Sequence, residues 1–131
     1  MAGIEGGAAF SAGLNRDAED VDAMVGKFTR RLGVGILRRV VLATPVDTGR
    51  ARANWQVDLN ATPQGQLEEF DKGGGAAVSK GAAKIKTAKP YGTIDMVNNV
   101  PYIGRLNEGS SRQAPAGFVE AAVDAEVAPF L

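Results

Sequence analysis

Between Asn15 and Ala43 the sequence keeps a single apolar stripe, and this constrains the fold more than any other feature. Val21, Met24, Val25, Phe28, Leu32, Ile36 and Val40 recur at steps of three and four, the spacing of one face of an α-helix. Asn15 or Asp17 is placed to cap the start. Asp17, Glu19, Asp20 and Asp22 bring negative charge to the positive end of the helix dipole, and Arg30, Arg31, Arg38 and Arg39 bring positive charge toward the other end. Thr44 precedes Pro45, and a residue before proline avoids helical dihedrals, so the helix is expected to stop there. At the standard rise such a helix is about 42 Å long. The chain has 131 residues, which makes one domain, 1–131, with a modest core, so the helix is expected to run past that core. Gly33 and Gly35 each weaken its middle by about 1 kcal/mol against Ala. Either the helix bends there or another backbone comes close.

Two strands follow. In "WQVDLN", Trp55, Val57 and Leu59 alternate with Gln56, Asp58 and Asn60, so one face is buried and the other wet. In "GTIDMVNN", Ile94 and Met96 share a face opposite Asp95 and Val97. Between the strands, residues 61–90 hold three consecutive glycines and little periodicity, and read as an extended Lys/Gly-rich loop in which a third strand has room to hide, with Lys72 to Lys89 expected to be mobile in the free protein. Lys72, Lys80, Lys84, Lys86 and Lys89 fall there with no acid between Lys72 and Pro90. After the second strand, Tyr102, Ile103 and Leu106 give a short helix ended by Gly109. Pro115 fits the first turn of a last helix whose stripe is Phe118, Val119, Ala122, Val123 and Val127. The expectation is α+β: a long N-terminal helix, a small antiparallel sheet and two C-terminal helices. Residues 1–14, with Ile4 and Phe10 in a Gly/Ala background, read as a flexible arm.

Composition narrows the chemistry. There is no Cys and no His, so disulfides, thiolate metal sites and the commonest general base are all excluded. Formal net charge is zero, which gives no global attraction to nucleic acid or to a membrane. No apolar run approaches the length of a membrane span, and the opening "MAGIEGGAAF" lacks the basic start of a secretion signal. An intracellular, soluble chain is expected. The acids Asp47, Asp58, Asp95 and Glu108 have no spacing that requires a metal or acid–base site. No enzyme, metal or cofactor is expected.

The stretch "TPVDTGRARANW", Thr44 to Trp55, has neither the glycine spacing nor the Lys-Ser/Thr pair of a phosphate loop, and it runs from helix to strand. It reads as a structural joint. Pro45 ends the helix, Asp47 and Thr48 bond to nearby backbone, Gly49 takes a conformation other residues resist, and Arg50 and Arg52 are left to pair with carboxylates. The lysines of 72–89 read as contacts to DNA phosphates or to an acidic protein surface, with the second favoured.

Two stretches together resemble a known family. "TPVDTGRARANWQV" after a long helix, and much later "NNVPYIGRLNEGSSRQAPAGFVEAAV", are similar to the tail-component family of double-stranded DNA tailed bacteriophages: tail completion, neck or tail terminator proteins of lambdoid siphophage type. The matching residues are Thr44 through Arg50 with Trp55, and Asn98 through Tyr102 with Leu106, Asn107, Glu108 and Gly109, together with Pro115 and Phe118. The likeness covers about half of the chain and leaves the lysine segment unmatched. It implies a virion protein of the neck or tail, assembled in the host cytoplasm, without catalytic activity or cofactor. Its partners would be its own copies in a sixfold ring (twelvefold as second choice), the head-closure or connector protein and the tail tube protein. Viral DNA would pass through without sequence-specific contact, and no membrane is involved. In that setting Arg50 or Arg52 pairs with Glu108 and locks the two stretches together. A small cytoplasmic DNA-binding or scaffold protein acting through the lysine loop is the alternative.

Overall fold

The computed structural model describes the backbone of residues 2–131 and the side chains from Arg16 onward. Helix α1 spans Ala2–Ala43, 42 residues, or about 63 Å at the standard rise. It is therefore longer than the stripe suggests. Asn15 and Asp17 are interior positions instead of caps, and the stretch 1–14 set apart as an arm continues the helical backbone from Ala2. No proline interrupts it, and Ala2, Ala8, Ala9 and Ala12 are strong helix formers. The C-terminal end is where Pro45 puts it, after Ala43.

Helix α1 buries the face that its large side chains mark out only toward its C-terminal end, where Val40 is buried and Leu32 and Ile36 are half-buried. Gly26, Gly33, Leu37, Val40 and Val41 are buried, while Val21, Met24 and Phe28 are 52%, 70% and 43% exposed. The glycines decide the side. A Cβ on Gly33 would lie 3.2 Å from Ile94 Cδ1, and one on Gly35 would run into the Glu126 carboxylate. The neighbours at both glycines are side chains, and not the second backbone expected there. From Arg16 to Met24 the helix is exposed all round.

Beyond α1, the single turn α2 (Arg50–Ala53) leads into β1 (Trp55–Leu59), which pairs antiparallel with β2 (Ile94–Asn98). Val57 stands opposite Met96 and Leu59 opposite Ile94, with Trp55 and Val57 buried as the alternation requires. Among the described residues these are the only two strands, so the third strand looked for in the loop is absent.

The segment 61–90 holds a helix instead of one extended loop. Helix α3 (Gly75–Ile85) packs against both α1 and β1, burying Ala77, Gly81 and Ile85. These recur at steps of four, but two are too small to register as an apolar stripe. Ile85 is fully buried beside Leu37, Val41 and Val57. Helix α4 (Ile103–Asn107) stops before Gly109 as expected. Helix α5 (Phe118–Val127) packs along α1 through Phe118 and Ala122 and runs into a 3₁₀ turn, Ala128–Phe130. Pro115 lies in the preceding turn and not in α5. The helix starts where Asn107 Oδ1 accepts the Val119 amide at 3.0 Å, after Pro115 has passed. Among the described residues no helix is long and apolar enough to cross a membrane.

Candidate functional site

The joint is built around the end of α1. Thr44 is fully buried; its hydroxyl donates to the Val40 carbonyl at 2.6 Å and accepts the indole N–H of Trp55 at 2.8 Å. The helix end is thereby bonded to the first residue of β1. Arg52 completes the stop. Its Nε donates to Thr44 O at 2.9 Å, Nη2 to Leu42 O at 2.9 Å and Nη1 to Lys72 O at 2.8 Å. Two of those carbonyls lie at the end of α1, where helix geometry leaves acceptors unfilled and a cation is favoured.

The same joint holds down the chain that crosses it. Asn54, fully buried, accepts the Leu67 amide at 2.6 Å and donates back to the Leu67 carbonyl at 3.1 Å. Gly49, at φ 89°, carries no side chain because a Cβ would fall 2.7 Å from the backbone nitrogen of Asp71, whose amide bonds to Gly49 O at 3.0 Å. On the other side Gln113 grips Val46 at both backbone groups, accepting its amide at 2.8 Å and donating to its carbonyl at 2.7 Å. Leu67, Asp71 and Lys72 are therefore each bonded to the joint.

Asn98 donates to the Ala51 carbonyl at 2.8 Å, so the second motif stretch reaches back to the first. A cleft of about 440 Å³ opens between them, walled by Pro45, Asp47, Thr48, Gly49 and Arg50 on one side and by Tyr102 and Leu106 on the other. Glu68 and the exposed Phe70 close its rim. The Arg50 amide is 3.3 Å from Thr48 Oγ1, a local turn contact. Arg50 Nη2 bonds to Gln66, while its Nε is buried without a hydrogen-bond partner. These groups can hydrogen-bond and pack against a segment laid along the cleft.

The expected ion pair of Arg50 or Arg52 with Glu108 is not made. Arg52 is occupied with carbonyls, Arg50 turns toward Gln66, and Glu108 is exposed at the end of α4. Among the described residues the ion pairs are Arg39–Glu126 at 2.6 Å, Lys80–Glu69 at 2.5 Å and Lys84–Asp58 at 3.8 Å. Gly109, at φ 95°, turns the chain out of α4. The lysines form no single patch: Lys80 and Lys84 ride the outer side of α3 toward those carboxylates, and Lys72, Lys86 and Lys89 are exposed. Asp58 and Asp95 stand opposite each other in the hairpin, Asp95 accepting the Thr62 hydroxyl at 2.9 Å. Among the described residues no three acidic side chains converge as a metal site would need.

Sequence reasoning missed Asn54 and Gln113, and the bonding roles of Asn107 and Arg52. Asn107 donates to both Glu120 oxygens, at 2.9 and 3.0 Å, and this holds the Glu120 carboxyl below its ordinary range. The Tyr91 hydroxyl is pushed up, chiefly by its hydrogen bond to Asp22. Compared with family models, curated proteins and solved structures, the chain matches none.

Proposed function

We propose that this chain is a structural protein of the head–tail junction in a tailed double-stranded DNA bacteriophage. It forms a homo-oligomeric ring that completes or terminates the tail tube and joins it to the head connector. One observation carries this reading. The two stretches that bear the family resemblance lie far apart in sequence, yet they meet through the Asn98–Ala51 bond and wall one cleft. A chance likeness of two short motifs has no reason to bring them together. The exposed stretch of α1 from Arg16 to Met24 adds support, since a ring offers such a surface a neighbour.

In the ring the cleft receives a segment of a neighbouring subunit, of the head-closure protein or of the tube protein, and the joint keeps its two walls in register. The ring has sixfold symmetry, matching a sixfold tail. Lys72, Lys86 and Lys89 remain available to acidic surface on a neighbour, and DNA passes without sequence-specific contact.

Cryo-EM of purified particles tests this. The expected result is a ring of this chain at the neck. A particle in which the chain is absent from neck and tail overturns the proposal. Leu106→Asp gives a sharper version: Leu106 is half-buried in the cleft wall and outside the main core, so the variant should still fold, as circular dichroism would check, while head–tail joining fails.

A further inference from the structure

We infer that the outward face of α1 is a self-association surface, covered by the same face of a second copy lying antiparallel about Met24. Asp17, Asp20, Val21, Met24, Lys27, Phe28 and Arg31 are all exposed and fall on the side of α1 away from the buried Gly26, Gly33 and Leu37. Asp17, Met24 and Arg31 follow one another at seven-residue steps, as do Val21 and Phe28, the repeat of a helix seam that faces another helix. Scattered apolar side chains on a surface are ordinary, but Val21, Met24 and Phe28 lie within about two turns on one side of the helix, and Phe130, which meets the Phe28 ring edge-on at 4.8 Å and is itself exposed, extends the apolar surface there.

Charge selects the occupant and its direction. The ridge is acidic at its N-terminal end and basic at its C-terminal end. None of Asp17, Asp20, Lys27 and Arg31 belongs to an ion pair among the described residues. In an antiparallel pair centred on Met24, residues equally far from it on either side meet. Asp17 then faces Arg31, Asp20 sits between Lys27 and Arg31, and Val21 packs beside Phe28, all of it twice over. A parallel pair in register sets Asp17 against Asp17 and Arg31 against Arg31, which repels. A two-fold contact joins copies pairwise, whereas neighbours in a ring meet head to tail. The contact therefore pairs free copies or two rings, and does not rest on the ring closure proposed above.

The chain has no cysteine, so single cysteines report the geometry directly. Under mild oxidation Met24→Cys should give a covalent dimer. Asp17→Cys alone should not, because its two thiols would sit about 20 Å apart along the seam. A mixture of Asp17→Cys and Arg31→Cys should cross-link. In sedimentation, Asp17→Arg should raise the dimer Kd about tenfold, and adding Arg31→Asp should restore it. Circular dichroism confirms that each variant is folded. A chain that stays monomeric at every concentration overturns the inference. So does cross-linking of Asp17→Cys to itself as readily as Met24→Cys, or self-association indifferent to Asp17→Arg. Protection of Met24 from alkylation only when a different protein is added would also assign the face to that partner and overturn it.

Discussion

The joint and helix α3 both anchor the fold, but by opposite means. The joint, Thr44 to Trp55, is held by directional bonds: the Trp55 indole on Thr44, the Arg52 guanidinium on three carbonyls, and the Asn54 and Gln113 amides each bonded to both backbone groups of one residue. Helix α3 is held by close contact, with Ala77, Gly81 and Ile85 pressed against α1 and β1. A joint of this kind should fail when a bonding group is deleted. A contact of the second kind should fail when volume is added. The two regions should therefore respond differently to substitution.

The largest effect is expected at Trp55. Trp55→Ala leaves a cavity beside Val57 and removes the donor to Thr44, and should cost about 3–5 kcal/mol in denaturant unfolding. Trp55→Phe separates the two parts, since it keeps most of the volume and loses only the N–H. It should cost about 1 kcal/mol. Arg52→Ala comes next. It strips charged donors from Leu42, Thr44 and Lys72, and should cost about 1.5–3 kcal/mol. Arg52→Lys should recover only part, because an ammonium cannot span three carbonyls as the planar fork does. Full rescue by Lys would mean that charge at the helix end, and not the bonded geometry, is what matters.

Gly81 tests the other region. A Cβ there would lie 2.9 Å from Val57 Cγ2 and closer still to Leu37. Gly81→Ala gains about 1 kcal/mol of helix propensity but overpacks a filled contact at about 1–3 kcal/mol, so a net loss of about 1 kcal/mol is expected. Gly75→Ala, with open space around it, should be neutral or slightly stabilising. If both glycines respond alike, α3 is not pressed against its neighbours and the contrast with the joint fails.

This contrast also explains what could be read from the sequence. Pro45 as the helix stop, Gly49 as a strained turn and the alternation of β1 were legible because each is a property of a residue and its near neighbours. The pairing of β1 with β2 followed from their matched alternation. Helix α3 was not legible, because its buried positions are Ala and Gly, which carry little hydropathy and become informative only against a partner surface. The same blindness shifted the buried face of α1, which keeps Val40 but leaves Val21, Met24 and Phe28 outside. Its large side chains suggested one face, but Gly26 and Gly33 face Pro90, Ile85 and Ile94. In the candidate site Pro45, Asp47, Thr48, Gly49 and Arg50 read from sequence as a structural joint, and that they also wall a cleft is visible only in the fold. The roles of Arg52, Asn54 and Gln113 depend on carbonyls and amides far away in the chain, and no local pattern announces them.

The smallest effect lies in the second motif stretch, at Glu120, and asks how far bonded control extends beyond the joint. Asn107 ties α4 to α5 by taking the Val119 amide on Oδ1 while its Nδ2 donates to the Glu120 carboxylate. These bonds favour the ionised form and hold the Glu120 carboxyl below its ordinary 4.5. A carboxyl whose value is lower in the folded chain than in the unfolded one contributes stability above the unfolded value. That contribution is lost as the pH falls through the folded value. The wild type should therefore lose melting temperature on acidification from neutral pH to below the ordinary carboxylate range, with Glu120 contributing a small share because it is exposed. Glu120→Gln cannot titrate and keeps an acceptor for Asn107, so its acid limb should be slightly shallower while its melting temperature at neutral pH falls only a little. Identical acid limbs in the two proteins would show that the Asn107–Glu120 contact is not maintained in solution. The bonded hold on α5 would then reduce to the Val119 amide on Asn107 and the Arg39–Glu126 pair, with packing carrying the larger part as it does for α3.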